Sequence, residues 1–565
     1  MARMNGWQAL VAGLEAEGIA AVFGLPGDAK HLYDQLYDAR KLRTVLVRHE
    51  TSGVYMAMAW ARITNQPAVA FGCPGPGVAN MVPGVLEAWS GCTPMLVLGV
   101  RVPTRTNGMG AFQECDQLGM MRPVTKWAAT IERAERTNWY LRRALTIATS
   151  GQPGPVYLEF PSDLPLEPVE MDAYHPAPRR LRPAPDPAAI AQAADLVAAA
   201  KRPLIVCGGG AVLSEAGDAL AALVDAWGIP FQTTPAGRGV LGERHPLACG
   251  MVGLYRTTFP RQLYEESDLL ITVGSRMEEF QSGNFTFFPR DARFIQIDIE
   301  PSELGRNWPP DCAIQADATL ALRALHAALL ERGYTRDDAR VADIVSRRAD
   351  AIEQARSDAL AADTYSMPLK GRRIMSEVNR VFGGNTILVN ENGGQDLWSY
   401  YWPYYQVYDA GCVVPPAEQT VMGYGVVGAI AAKMARPDRQ VVCTTGDSAF
   451  QMAMHEVATA VQERAPVTWV VTNDGALGWP RWGQTTGLGG RYIATEYNPV
   501  FDFVAVARAG GADGVRVEQV DDLAPALEQA RAANAAGVPF VVDCPVDPND
   551  HHAEFDAFHR ISAVG

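Results

Sequence analysis

Two polar turns in the last third of the chain carry residue types that a hard divalent cation takes as ligands. Gly446-Asp447-Ser448 follows the β-branched apolar run 440–445, and Asn473-Asp474-Gly475 follows the run 467–472. Between them Phe450, Met454, Val457 and Val461 recur at helical spacing, so the unit reads strand, acidic turn, helix, strand, polar turn. In a parallel sheet both turns lie at the carboxyl ends of their strands, where open α/β folds bind ligands. A cation such as Mg²⁺ wants oxygens in a near-octahedral shell and shares them with ligand phosphates. Asp447, a side-chain oxygen of Asn473 or Asp474, and a backbone carbonyl at Ala476 would leave positions for diphosphate oxygens and a water. Either turn alone is ordinary turn chemistry. The pair, each member closing a buried strand, favours a metal–diphosphate site.

Four further stretches bear on chemistry. Val47-Arg48-His49-Glu50 sets a carboxylate directly after an apolar strand, where a helix-start Glu is also favoured by the dipole. Phe23-Gly24-Leu25-Pro26-Gly27-Asp28 brings Asp28 to a turn before a helical stretch at 30–37, either as a proton donor or as a helix N-cap. Val421-Met422-Gly423-Tyr424-Gly425 puts Met422 beside a tight turn. A strand at 387–389 runs into Asn390-Glu391-Asn392-Gly393-Gly394-Gln395, whose glycines allow a backbone to approach a ligand closely.

The rest of the chain supplies the framework for these residues. At 565 residues it exceeds a single core and calls for about three domains of roughly 150–200 residues. Apolar runs at 20–23, 44–47, 68–71, 95–98 and 156–160 alternate with helical stretches over residues 1–168, which predicts a parallel α/β sheet. A Pro-dense stretch follows and reads as an extended linker. A second α/β segment spans 188–338, with strands at 204–206, 269–273 and 294–299; the first two run into Gly208-Gly209-Gly210 and Gly274-Ser275-Arg276. A polar helical connector covers 339–364, and a third α/β segment covers 366–547 with a last strand at 539–542. The tail, 548–565, holds three of the nine histidines and could cap a site. The expected fold class is therefore α/β, three doubly wound parallel-sheet domains.

A net charge of −14 argues against a nucleic-acid partner, which calls for a basic patch. No apolar run approaches the roughly 18 residues of a membrane span, and Glu15 and Glu17 interrupt the first helical stretch, so neither a membrane segment nor a signal peptide is expected. The nine cysteines are scattered without a C-x-x-C pair, which points to no disulfide framework or zinc site and to a cytoplasmic location. Cys73, Cys207 and Cys443 read as inert core thiols.

With these residues in place the chain resembles a family. Gly446-Asp447 followed by Asn473-Asp474 is similar to the thiamine diphosphate signature Gly-Asp-Gly…Asn-Asn, with Ser448 for the last Gly and Asp474 for the second Asn, the family's side-chain metal ligand. Three α/β segments in this order are similar to the pyrimidine-binding, central and diphosphate-binding domains of acetolactate synthase, pyruvate decarboxylase and benzoylformate decarboxylase. The resemblance covers nearly the whole chain. It implies that Glu50 bonds N1′ of the aminopyrimidine, that Met422 props the cofactor into its bent form, and that the Thr420 carbonyl accepts from the 4′-amino group. Gly393, Gly394, Gln395, Gly446, Ser448 and Ala449 would approach the diphosphate, and Asp447, Asp474 and Ala476 would hold Mg²⁺. The loop with Gly27 and Asp28 resembles pyruvate decarboxylase, whereas Ala111-Phe112-Gln113-Glu114 with Lys126 is similar to acetolactate synthase. Gly478-Trp479-Pro480-Arg481-Trp482 looks like benzoylformate decarboxylase, and Trp479 and Pro480 would wall the substrate pocket. Segments 250–256 and 274–280 resemble flavin-binding segments, and 294–307 is similar in style to ADP-binding relatives, so the central domain reads either as a site for FAD or ADP or as a bare structural domain. The implied activity is making or breaking the bond next to the carbonyl of a 2-oxo acid, in a homodimer or homotetramer with shared active sites. The alternatives are a 2-hydroxyacyl-CoA lyase or oxalyl-CoA decarboxylase and, in another class, a non-catalytic cofactor-binding subunit.

Overall fold

The computed structural model describes residues 2–562 apart from 179–180, 290, 392 and 498–500. The apolar runs become three six-stranded sheets, and every ladder within them is parallel. Continuous apolar strands, without alternation, are what a parallel sheet covered by helices on both faces requires.

The first sheet contains β1 (Ala21–Gly24), β2 (Arg43–Leu46), β3 (Ala68–Gly72), β4 (Met95–Arg101), β5 (Trp127–Thr130) and β6 (Pro155–Pro161), in the order β2-β1-β3-β4-β6-β5. The second contains β7 (Pro203–Cys207), β8 (Phe231–Thr233), β9 (Ala248–Met251), β10 (Leu269–Val273), β11 (Arg293–Asp298) and β12 (Cys312–Gln315), in the order β9-β8-β7-β10-β11-β12. The third contains β13 (Thr386–Asn390), β14 (Val413–Val414), β15 (Gln440–Gly446), β16 (Thr468–Asn473), β17 (Asp513–Arg516) and β18 (Phe540–Pro545), in the order β14-β13-β15-β16-β18-β17. The third sheet thus repeats the strand order of the first, while the second has the 3-2-1-4-5-6 order of the dinucleotide-binding fold. The expected fold class holds.

The chain groups into two compact units. One is Met1–Leu181 with Pro416–Pro437 and Ala453–Ala465; the other is Arg182–Pro415 with Asp438–Met452 and Pro466–Gly565. The helices that matter below are α1 (Lys30–Asp38), α2 (Glu50–Thr64), α3 (Pro76–Ser90), α4 (Thr137–Thr149) and α5 (Tyr424–Ala435) in the first unit. In the second they are α6 (Asp447–Ala453), α7 (Gly478–Gly487) and α8 (Ala553–Ser562). α2 and α3 lie so close that a Cβ on Gly84 would sit 2.8 Å from Val54 Cβ, so only glycine fits there. α5 also packs on α2, with the Tyr55 and Tyr424 rings 5.8 Å apart.

Two readings of local structure need correction. The single helix expected from Phe450 to Val461 is interrupted: α6 ends at Ala453, a 3₁₀ turn covers Met454–Glu456, and a new helix runs over Val457–Gln462. At the break the fully buried Glu456 accepts the N–H of Arg48 at 2.9 Å and the hydroxyl of Thr459, bonds that a straight apolar stripe would not make. The Pro-dense linker also contains a strand, Val169–Met171, paired antiparallel with Ala2–Met4.

Candidate active site

In the first unit Glu50 opens α2. His49 is the N-cap, its Nδ1 accepting the N–H of Thr51 at 3.3 Å. Glu50 is 5% exposed, and Asn80 of α3 donates to its Oε2 at 2.9 Å. A Cβ on Gly77 would lie 3.2 Å from Glu50 Oε1 and 2.7 Å from Cys73 Sγ, and one on Gly27 would meet Cys73 at 2.6 Å. The turns after β1 and β3 therefore build a cradle of small residues over the carboxylate. Cys73 belongs to this cradle and not to the core: it is half-buried, and burial followed by the Glu50 charge raises its thiol pKa.

The other first-unit candidates divide. Gly27 and Asp28 are exposed in the turn before α1. The N-cap reading of Asp28 fails, because Ala29 is the cap of α1 and the helix has no side-chain cap bond. Gln113 is held at φ 64°, with its carbonyl 2.7 Å from where a Cβ on Gly75 would be, and its neighbour Phe112 is 84% exposed. Thr420 has φ 50°, and Gly423 at φ 87° caps α5; Met422 between them is half-buried.

Lys126 departs from the substrate role expected of it. Its Nζ donates to the carbonyls of Ile147, Ser150 and Gln152 at 2.6, 2.7 and 2.7 Å. All three protons serve the end of α4, where a cation also suits the helix dipole. Lys126→Met should therefore lower stability by about 1–3 kcal/mol and leave KM unchanged; a raised KM at unchanged melting temperature would return Lys126 to the substrate.

In the second unit the register pairs Gly446 of β15 with Thr472 of β16, which brings the two polar turns side by side. Asp447 is 2% exposed; its Oδ1 accepts the N–H of Ser448 at 2.6 Å and its Oδ2 accepts the N–H of Gly475 at 3.0 Å. Asp474 Oδ1 accepts the N–H of Ala476 at 3.1 Å, and its Oδ2 lies 2.6 Å from where a Cβ on Gly478 would be. Burial raises both carboxyls well above the ordinary carboxylate range, and the Asp474 charge adds to the rise at Asp447. For Asp474 the Ala476 N–H and the Arg481 charge oppose the shift, while the Asp396 charge adds to it. A buried carboxyl raised further by the charge of a half-buried one beside it is an arrangement that a cation would relieve. The Ala476 carbonyl accepts the Ser448 hydroxyl at 2.7 Å and keeps a second lone pair. Asn473 is turned away, its Nδ2 donating to Asp543 Oδ1 at 2.9 Å, so between the two turn residues it is Asp474 that offers its side chain.

The strand-end loop after β13 adds polar groups that ask for a ligand. Gln395 is 3% exposed and neither atom of its amide has a partner. Asp396 is fully buried and neither of its oxygens meets a donor at good geometry; burial pushes its pKa up to about 7, restrained by the N–H groups of Gly393 and of Asp396 itself. Gly394 lies against Gly478 and Trp479 at the start of α7 and against His551 of the tail. A Cβ on Gly446 would meet nothing within 4 Å, and Ala449 beyond it is 3% exposed. Orphaned amide donors, open backbone at a glycine and a carboxylate pair together fit a metal-bound diphosphate.

Trp479 of α7 stacks on Phe280 at 5.9 Å and meets Phe555 of α8 edge-on at 4.9 Å, while Pro480 is exposed. The aromatic run Trp398, Tyr400, Tyr401 and Trp402 is buried and serves packing. Sequence reading missed Asn80, Cys73 and Asp396. Asn80 had a signal, a lone amide in the apolar first turns of the helix after Gly75-Pro76-Gly77; Asp396 looked like one more loop acid.

Comparison with known proteins gives this geometry its family. Residues 4–120 match the description "Thiamine pyrophosphate enzyme, N-terminal TPP binding domain", 190–325 the central domain and 396–544 the "C-terminal TPP binding domain". The chain belongs to the thiamine pyrophosphate enzyme family. Within it the chain is similar along nearly its whole length to acetolactate synthase large subunits. A probable one from Methanococcus aeolicus is 32% identical over 97% of this chain and 92% of its own length. A probable one from Methanocaldococcus jannaschii is 32% identical over 96% and 92%, and the isozyme 3 large subunit from Escherichia coli (strain K12) is 30% identical over 98% and 96%.

Proposed function

We propose that the protein is a thiamine diphosphate- and Mg²⁺-dependent carboligase that acts on a 2-oxo acid in the manner of acetolactate synthase. The observation that carries this reading is the buried Asp447 beside the half-buried Asp474 at the ends of neighbouring strands, with both carboxyls raised. Thiamine diphosphate, when bound, supplies a carbon nucleophile that adds to a carbonyl and accepts the charge left by a departing carboxylate.

The chain's own residues do the rest. Asp447, Asp474 and the Ala476 carbonyl hold the metal; Gln395 donates to the diphosphate, with the backbone of Gly393, Gly394, Gly446, Ser448 and Ala449 close to it. Glu50, oriented by Asn80, shares a proton with the aminopyrimidine ring; Met422 supports the cofactor, and the Thr420 carbonyl receives its amino group. Gly27, Asp28, Phe112, Gln113, Trp479 and Pro480 address the substrate. The exposed Phe112 and Met109 beside Gln113 support a homo-oligomer that covers them.

The relatives favour this reading over a CoA-ester lyase or a silent subunit. The test is near-UV circular dichroism of the holoenzyme mixed in turn with pyruvate, benzoylformate, oxalyl-CoA and a 2-hydroxyacyl-CoA. A signal with a 2-oxo acid, lost in Glu50→Gln, supports it; a signal with a CoA ester alone overturns it.

The central sheet does not fit a flavin or ADP. Arg256, 6% exposed, lies 3.6 Å over the Phe287 ring and donates to Glu554 of α8 at 2.9 Å. The N–H groups of Gly208 and Gly210, which a phosphate would need, bond to the carbonyls of Val273 and Gly274 at 2.9 and 3.0 Å. Purified protein should release no flavin absorption band on denaturation, and stoichiometric flavin would refute this.

A further inference from the structure

Segment 416–423 carries Thr420 and Met422, and it has to be held in a shape that a free chain avoids. Thr420 sits at φ 50°, a left-handed conformation costly for a β-branched residue, and Gly423 at φ 87° follows it. Strain of this kind persists only where neighbouring structure over-determines it. The neighbour is α3. Its Glu87 is 0% exposed, and Glu87 Oε1 accepts the N–H of Ala417 at 2.5 Å. One turn on, a Cβ on Gly91 would lie 3.2 Å from Ala417 Cβ, so the loop rests directly on the helix backbone. The same helix carries Asn80, the partner of Glu50.

We infer that Glu87 is a positioning residue: its buried carboxyl fastens the start of segment 417–422 and so sets where the Thr420 carbonyl and the Met422 side chain meet the aminopyrimidine. Burial raises the Glu87 pKa to about 7, and the N–H groups of Ala417 and Val421 pull against that rise, as expected of a carboxyl both sunk in the fold and used as a backbone acceptor. Glu87 Oε2 has no partner of its own. A buried acid serving only α3 would be replaceable by an apolar residue, whereas one that fixes a strained loop is not. The inference rests on the proposed cofactor roles of Thr420 and Met422.

The test compares Glu87→Leu, which keeps bulk but cannot accept a hydrogen bond, with Glu87→Gln, which keeps an acceptor oxygen. The readouts are the thiamine diphosphate dissociation constant, by quenching of intrinsic fluorescence, and KM and kcat for pyruvate. The Leu variant should bind thiamine diphosphate about tenfold to a hundredfold more weakly and lose kcat with pyruvate KM little changed; the Gln variant should stay within about threefold of wild type. A folded Leu variant with wild-type cofactor affinity and kcat would overturn the inference, as would a Gln variant no better than Leu. Hydrogen exchange of the wild-type Ala417 amide provides a check that needs no variant: slow exchange is expected, and exchange at the rate of an open loop would overturn the contact. Wild-type protein that bound no thiamine diphosphate at all would instead overturn the functional reading beneath it.

Discussion

Glu50→Gln should fold, bind thiamine diphosphate within a few-fold of wild type, and turn over about 10²- to 10⁴-fold more slowly. Binding survives because the amide oxygen of Gln still accepts from Asn80, the hydrogen bond that orients the Glu50 side chain at 2.9 Å. The cradle of Gly27, Cys73 and Gly77 around it is set by backbone and does not depend on charge. The fold loses one acidic group in the first turn of α2, worth about 0.3–1 kcal/mol against the helix dipole. What disappears is the ability to hold and return a proton, because an amide does not titrate in this range. Measuring kcat beside the cofactor dissociation constant separates the two: turnover within tenfold of wild type would show that proton transfer at Glu50 is not needed, and lost binding would show a structural role.

Asp447 and Asp474 were legible because each follows a strand buried on both faces, and such strands announce themselves as unbroken apolar runs. β10 at Leu269–Val273 and β13 at Thr386–Asn390 fall where the sequence puts them, to within a residue at each end. The strands that were not foreseen are the short or marginal ones. β5, β9, β12, β14 and β17 lie at sheet edges, where fewer neighbours need apolar side chains, and β8 is three residues long. The contacts that orient the site were less legible still. Asn80, Glu87 and Asp396 act across sequence separations that no local pattern records, and a buried acid in a helix looks the same in sequence as a solvated one. The break in the helix after Ala453 has the same origin: the Glu456–Arg48 bond overrides the regular spacing of Phe450, Met454, Val457 and Val461.

Without metal, the Asp447–Asp474 pair should cost the protein thermal stability as the pH rises from about 4 through neutrality, and Mg²⁺ with thiamine diphosphate should remove that cost. In the unfolded chain Asp447 and Asp474 ionise near the ordinary carboxylate value of about 4. In the folded chain burial raises both values, with the Asp474 charge adding to the rise at Asp447 and the Asp396 charge to that at Asp474, so the folded state holds protons that the unfolded state has released. Stability contributed by the protonated pair is present below the unfolded value and is lost as pH climbs through the raised folded values. A divalent cation takes the pair only in its ionised form, so loading expels the proton and stabilises most where the metal-free protein is weakest. Asp396 and Glu87 are also raised by burial, to about 7 each, and a single melting curve would mix their contributions with the pair's. The difference between wild type and Asp474→Asn isolates the pair. Asn cannot ionise, so it relieves the repulsion on Asp447 and still offers an amide oxygen to the metal. Asp474→Asn should therefore flatten the metal-free decline and still bind Mg²⁺. Asp447→Asn should do worse, because its amide would set an N–H against the N–H of Gly475 or of Ser448, which the carboxylate now accepts at 3.0 and 2.6 Å. Melting temperatures of the three proteins across this pH range, with and without Mg²⁺ and thiamine diphosphate, decide the matter. An Asp474→Asn curve parallel to wild type would show that the two carboxyls do not share a site.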